Sequence, residues 1–417
     1  MNLLNSKNLP SYKIKKLFKI SNDFLLNLIS VLIPIGLLQL LVYPMLARFL
    51  DMQTYGYFLS VIGISNIISV TCGTSLNNLR LLVNKDYNDR KLSGDFNVIL
   101  LAGIVISNLV FFFILLCGYK CDFLESFLYI SLTIATSVRA YANVEYRLNL
   151  DYKKILKNNL IAAVGIITGI VLFYFFKRRE LSVIPFLFGE VFGILHILFS
   201  TKILSEALKI TELFRIMLLK EMILILATFI SNLTVYLDRI ILTPLLGAET
   251  VSIYSVASFF GKGIGTLISP LSGVLLSYYV SGSITLDRKK FRISNLIIIF
   301  MGIITYGICL LFSDPITGLF YPTIIESADQ YIGIANLTMV INFVCGMVQP
   351  AVLKYTPLVW QIFIQLAYLF IYIGGGYVAI VKFGMHGFVY AALAAIIVRL
   401  LILLIVGDLT IGKQKSI

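Results

Sequence analysis

Charged side chains are scarce in this 417-residue sequence. Asp, Glu, Lys and Arg together make up 13% of it, where soluble proteins carry about 25%. Hydrophobic residues make up 59%, against about 45–50% in soluble chains. A soluble domain of this length has no interior large enough to hide so much apolar surface, so the chain reads as a membrane protein. Long polar stretches are also missing. The two longest, 1–23 and 201–220, are too short to fold as catalytic domains. Histidine occurs twice, at His196 and His386, far apart and without clustered carboxylates, which argues against a metal site. No Gly-rich phosphate loop ends in Lys-Ser or Lys-Thr, which argues against ATP-driven transport by this chain alone; no cofactor is expected. The five cysteines (Cys72, Cys117, Cys121, Cys309, Cys345) are scattered in or beside apolar runs and read as small packing residues. The Cys117–Cys121 spacing permits a disulfide but is weak support for one.

What the chain does have is about twelve apolar runs, each near the roughly 20 residues a helix needs to span the hydrocarbon. The expected class is an all-α integral membrane protein. The spans are predicted at 24–47, 55–79, 96–118, 126–147, 158–176, 181–201, 221–243, 251–279, 293–313, 329–353, 358–381 and 385–407. The first is too long for a signal-peptide h-region and lacks a small-residue cleavage site before the next span. Lys and Arg favour cytoplasmic loops. With the N-terminus inside, 24 basic residues fall on the cytoplasmic side and six (Arg48, Lys120, Lys177, Arg178, Arg179, Lys382) on the other. That split predicts an even number of spans with both termini cytoplasmic, although Lys177-Arg178-Arg179 goes against the rule. The net charge of +13 is then a signature of topology and anionic lipid, and no basic domain stands clear of the membrane to bind nucleic acid.

The chain also repeats itself. "FLDMQTYGYF" at 49–58 aligns with "LLGAETVSIY" at 245–254, and "DRKLSGDFNVILL" at 89–101 with "DRKKFRISNLIII" at 287–299, at offsets of 196 and 198 residues. Both matches fall at the same place in a count of six helices. The expected architecture is therefore two six-helix lobes related by a parallel internal repeat, an arrangement in which transporters place substrate between the repeats. Expected boundaries are 1–23 for an N-terminal cytoplasmic segment, 24–201 for the N-lobe and 202–220 for a cytoplasmic linker. The C-lobe follows at 221–407 and a cytoplasmic tail at 408–417. The linker reads as an amphipathic surface helix.

At these residues a family resemblance emerges. "PMLARFLDMQTYGYFLSV" at 44–61 resembles the first-to-second-helix signature of polysaccharide exporters in the multidrug/oligosaccharidyl-lipid/polysaccharide (MOP) superfamily. "LDRIILTPLLGAETVSIYSV" at 237–256 resembles their seventh and eighth helices, and "FSDPITGLFYPTIIESADQYIGI" at 312–334 their ninth-to-tenth loop. Within the superfamily the chain is most similar to O-antigen flippases of the Wzx type. That resemblance implies a multi-pass bacterial inner-membrane protein that moves undecaprenyl-diphosphate-linked oligosaccharide outward by alternating access, with no chemistry on the substrate. It also implies possible proton or sodium coupling, and polymerase and chain-length proteins of the same pathway as partners. A multidrug exporter of the same superfamily is the first rival. A membrane polymerase or glycosyltransferase is the second, and disfavoured, because those carry a sizeable catalytic loop and none here exceeds about 20 residues.

Charges inside the spans are the candidate site. A cation at mid-membrane costs at least about 2.5–3.5 kcal/mol, so by default it faces a cavity or a partner. Lys262 lies about 16 Å into its predicted helix and Arg139 about 20 Å, while Arg239 and Arg399 lie nearer the faces, where they can snorkel. All four are candidate contacts for a diphosphate or an acidic sugar. The alternatives are structural: Arg139 paired with a carbonyl or Tyr141, Arg239 neutralised by Asp238. Glu190, about 14 Å into the sixth span, and Asp238 are the candidates for ion coupling. Thr228, Ser231, Asn232 and Asp238 form a polar stripe suited to lining a wet cleft. Pro34, Pro270, Pro350 and the Gly374-Gly375-Gly376 run are candidate hinges.

Overall fold

The computed structural model describes residues 25–26, 28–280 and 284–411; the terminal segments expected to be cytoplasmic lie almost wholly outside that range. Among the described residues the chain is helical and contains no strand. The helices are α1 (Leu28–Phe49), α2 (Met52–Arg90), α3 (Asp95–Gly118), α4 (Phe123–Ala142), α5 (Tyr152–Phe176), α6 (Arg179–Ser200) and α7 (Phe214–Val235). Then come α8 (Leu237–Leu246), α9 (Ala248–Ala257), α10 (Phe259–Val280), α11 (Arg288–Phe320), α12 (Ile325–Tyr355), α13 (Leu358–Phe370) and α14 (Gly376–Ile411). Hydrophobic side chains cover the outside: Phe123, Phe199 and Phe370 are 84%, 89% and 80% exposed, a surface suited to lipid and not to water.

Nine of the described helices are long and apolar enough to cross a membrane, ten if the bent pair Ala248–Ala257 and Phe259–Gly273 counts as one span. The sequence suggests twelve, and besides the bent pair two places account for the difference. Helix α4 contains Glu125 and Arg139 and falls outside the nine. The helical run Val359–Ile411 counts once, yet its 53 residues would reach about 80 Å as a straight helix, far beyond a bilayer of roughly 30 Å. It is not straight. Gly384 has φ +59°, and Gly387 packs against the Ala379 carbonyl, so the chain doubles back there. The hinge expected at Gly374–Gly376 is a five-residue π-helical turn, Ile371–Gly375, with open space at each glycine and no close packing.

The described chain divides into two compact units. The first takes 25–43 and 61–233, the second 44–60 and 234–411, so α1 and α2 each contribute to both.

In the first unit, small residues let helices touch through backbone, as helices in lipid must. Gly165 and Gly169 of α5 meet Phe188 and Pro185 of α6, and Gly189 meets Ile166 in return. Pro34 removes the backbone donor that would bond the Ser30 carbonyl of α1. That carbonyl instead accepts from Asn159 Nδ2 of α5 at 3.0 Å. Residues 201–213 form no amphipathic helix. They make a short turn at Ile203–Ser205 and are tied down as irregular chain. Arg80 of α2 holds Glu206 with both terminal nitrogens at 2.9 and 2.5 Å and lies over the Phe96 ring. Asp95 of α3 accepts from the Thr211 backbone at 2.7 Å and from Tyr87 at 2.6 Å. These charged and amide anchors remove the freedom that a surface helix would need.

In the second unit, the start of α2 crosses α9. Ser252 Oγ donates to the Met52 carbonyl at 2.5 Å, and Gly56 lies against the Ala248 carbonyl. The residues 52 and 248 each open a helix, in line with the first repeat match. The second match is less regular. Asp89-Arg90 ends α2, whereas Asp287 caps α11 by accepting from the Lys290 backbone at 2.8 Å. Far along the chain, Asp408 of α14 pairs with Arg288 at 2.7 Å and Arg292 at 2.6 Å, which fastens α14 to the first turns of α11.

Candidate functional site

Arg139 lies in the first unit and is 8% exposed. Its Nη1 donates to Glu190 Oε1 at 3.2 Å. Nε and Nη2 share Asn158 Oδ1 at 3.1 and 3.0 Å, and Nη2 reaches Asn159 Oδ1 at 2.6 Å. Gly193 of α6 makes room, since any Cβ there would strike the guanidinium. Two residues singled out separately in the sequence, one for substrate and one for ion coupling, are thus partners. Tyr141, the expected alternative partner, bonds Arg80 at 3.3 Å. His196 and Tyr146 extend the cluster: the Tyr146 hydroxyl is 3.3 Å from His196 Nδ1, which is 3.3 Å from Asn158 Nδ2.

Lys262, Asp238 and Arg239 meet in the second unit. Lys262 Nζ is 2.9 Å from Asp238 Oδ2 and 5.6 Å from the Tyr254 ring centroid. Asp238 is 5% exposed, while the Lys262 side chain is 30% exposed. The predicted 251–279 helix is broken at Ser258, which puts Lys262 in the first turn of α10. A cation at a helix N-terminus opposes the helix dipole, and Asp238 offsets this. The break also frees backbone donors, one of which, Gly261 N–H, is taken by Asn336 Oδ1 at 2.7 Å. The Asp238 side chain therefore pairs with Lys262, and gives Arg239 only a bond to its backbone N–H at 3.0 Å. The Arg239 guanidinium turns to the Leu59 carbonyl at 2.7 Å.

Arg399, like Arg239, has a guanidinium that bonds only neutral acceptors, and of the two it is the more deeply buried. It is 9% exposed, and its terminal nitrogens reach two neutral amides, Asn342 Oδ1 at 3.2 Å and Gln349 Oε1 at 3.1 Å. The Tyr368 ring lies 5.1 Å away and Nε has no partner. Among the described residues no carboxylate forms an ion pair with it. A buried cation held only by neutral acceptors is suited to receiving an anion.

Glu221 is among the buried carboxylates that sequence reasoning missed, with Asp95 and Glu125. Glu221 is 2% exposed, with one oxygen 2.5 Å from Ser75 Oγ and the other unpartnered. The predicted span began at 221, which put this residue at the membrane surface. In the structure α7 begins at Phe214, two turns earlier, and carries Glu221 inward. The apolar run "FRIMLL" before Lys220 was the available signal. The polar stripe on α7 is partly spent on helix contacts: Asn232 Nδ2 donates to Thr71 Oγ1 at 3.2 Å, and Ser231 bonds back to the Ala227 carbonyl at 3.1 Å. Among the described residues no group of three His, Cys, Asp or Glu is placed to hold a metal, and none of the five cysteines forms a disulfide.

No protein-family model matches the sequence, and no curated protein does either. Solved structures do match. A multidrug resistance MATE family transporter of the MOP superfamily, in an inward-facing conformation, superposes with a TM-score of 0.68 at 12% identity, over 91% of this chain and 95% of that one. The lipid II flippase MurJ, in an inward closed conformation, gives 0.65 at 17% identity, over 96% and 90%. The chain shares its fold with these two proteins. The Vibrio cholerae MATE transporter VcmN in its bent form gives 0.60 at 13% identity over 97% and 98% of the two chains, so the likeness runs nearly end to end. Identities this low show the fold alone.

Proposed function

We propose that this chain is a flippase that moves undecaprenyl-diphosphate-linked oligosaccharide, an O-antigen or related surface-polysaccharide unit, from the inner to the outer leaflet of the bacterial inner membrane by alternating access. It does so as twelve spans in two six-helix lobes with both termini cytoplasmic. Doubling back at Gly384 and counting α4 as a span support the higher number. The likeness to MurJ, which by its name flips a lipid-linked substrate, supports the substrate class.

Arg399 carries the reading. A diphosphate supplies the counter-charge that the buried guanidinium lacks, and the planar fork suits phosphate oxygens. Lys262 is the second contact, because its partly exposed side chain can exchange Asp238 for a substrate anion. Arg139 is fully engaged within the first unit and Arg239 is held by a carbonyl, so both serve as positioning groups. Deletion of the gene should make the lipid-linked oligosaccharide accumulate on the inner leaflet. Normal surface polysaccharide in the deletion strain would sink the proposal.

Export of small molecules is the second reading, favoured by the likeness to multidrug MATE transporters. It predicts drug sensitivity, and not glycolipid accumulation, in the same strain.

A further inference from the structure

Ser75 Oγ makes two short contacts that compete for one proton. It lies 2.7 Å from the Thr71 carbonyl and 2.5 Å from Glu221 Oε1. Both of those oxygens are acceptors if Glu221 is ionised, yet a serine hydroxyl has a single hydrogen to give. Both contacts are satisfied together only when the carboxyl group carries a proton. Glu221 then donates to Ser75 Oγ, and Ser75 donates to the Thr71 carbonyl. When Glu221 is ionised, the Ser75 hydrogen must turn to it and the Thr71 carbonyl loses this donor.

The surroundings agree. Among the described residues no Lys, Arg or His forms an ion pair with Glu221, and its second oxygen has no partner at all. An ionised carboxylate buried that way lacks the compensation that buried charges normally have. The Cys72 thiol lies one turn before Ser75 on α2. Arg80, on the same helix, is held by Glu206 at 2.5 Å, and Arg215 and Lys220 of α7 are exposed. The two carboxylates singled out in the sequence are different, since Glu190 is paired with Arg139 and Asp238 with Lys262.

The geometry points to Glu221 as a proton-binding site: with Ser75 as its relay it takes up and releases the proton that couples transport to a pH gradient. The coupling part rests on the transport reading above; the proton-binding part does not.

Infrared difference spectroscopy of the purified wild type across a pH titration should show the carbonyl stretch of a protonated carboxyl group. Glu221→Gln should remove that band, and Ser75→Ala should shift it without removing it. Monodisperse elution of each variant confirms folding. In vesicles, an imposed pH difference should speed wild-type transport and leave Glu221→Gln unaffected. A band that survives in Glu221→Gln, a gradient response kept by that variant, or a response to sodium in place of protons overturns the proposal. If the wild type moves no glycolipid at all, the flippase reading fails, while the band still decides whether Glu221 binds the proton.

Discussion

Gly56 and Ser252 occupy matching places in two crossing helices, each at the fifth position and each against the first carbonyl of the other helix. Ser252 donates to Met52, and Gly56 lies against Ala248, where a Cβ would come within 1.7 Å of the carbonyl oxygen. The offset of 196 residues relates all four positions. Corresponding residues of the two aligned stretches thus hold these two helices together within the second unit.

Gly56→Ala should therefore destabilise more than Ser252→Ala. The serine change removes one hydrogen bond, worth about 1 kcal/mol. The alanine at 56 must push a backbone carbonyl away and should cost about 1–3 kcal/mol, as overpacking does. Thermal unfolding in detergent gives the order directly. An unchanged midpoint for Gly56→Ala would mean that the helices do not cross so closely.

Asp51 starts α2 by accepting from the Thr54 backbone at 3.0 Å and from the Thr54 hydroxyl at 2.7 Å. Those bonds, the hydroxyl's first, hold its carboxyl below the ordinary value of 3.8. A depressed folded-state value means that the cap's contribution is present above the ordinary carboxylate range and is lost as pH falls through the folded value. Asp51→Ala should cost about 1 kcal/mol at neutral pH. Asp51→Asn should keep most of the cap and lose its acid dependence. Unfolding midpoints for both variants at neutral and strongly acidic pH test the sign.

The Arg139 cluster predicts non-additivity. Removing Arg139 strands Glu190 and two asparagine oxygens in a buried site, and breaking such a pair costs about 3–5 kcal/mol. Glu190 is partly exposed, with 23% of its side chain accessible, so the lower end is expected. Arg139→Ala combined with Glu190→Gln should be less damaging than the separate effects added together. Strict additivity would show that the pair contributes no coupling. With Glu190 tied to Arg139, Glu190→Gln should leave the pH profile of transport in place.

How much of this was legible beforehand follows from which physics is local. Apolar length is local, and the windows at Phe24–Ala47 and Phe96–Gly118 overlie α1 and α3 closely. The breaks at Ser258 and Gly384 were not visible, because they depend on what the freed groups find elsewhere, such as Asn336 for Gly261. Arg139, Asp238 and Arg399 are buried in the structure, although Arg399 reads in the sequence as near enough to a face to snorkel. Which carboxylate meets which cation was not readable, since each partner comes from another helix at unrelated sequence distance. Glu221 was missed through a two-turn error in one boundary, which is enough to exchange surface for interior.

Lys262 should need its charge and not its shape. Lys262→Arg should retain transport by keeping a cation beside Asp238, whereas Lys262→Ala leaves that buried carboxylate uncompensated. Adding Asp238→Asn to Lys262→Ala should restore protein level, which separates folding from function. If the double variant also restores surface polysaccharide in a deletion strain, Lys262 is structural and touches no substrate.

Arg399 offers the sharpest contrast with Arg139. No ion-paired carboxylate is stranded when Arg399 is removed, and a glutamine in its place can still donate to Asn342 or Gln349. Arg399→Gln should therefore cost little stability, about 1 kcal/mol, while abolishing surface polysaccharide. Arg399→Lys keeps the charge but loses the planar fork, so partial transport is expected. The wild type, purified, should bind pyrophosphate with an affinity that falls steeply with salt, and Arg399→Gln should not bind it. A purely structural arginine gives the opposite pattern: lowered protein level and unfolding temperature, with transport per folded molecule and pyrophosphate binding unchanged. That outcome would remove Arg399 from the site and with it the main support for an anionic substrate.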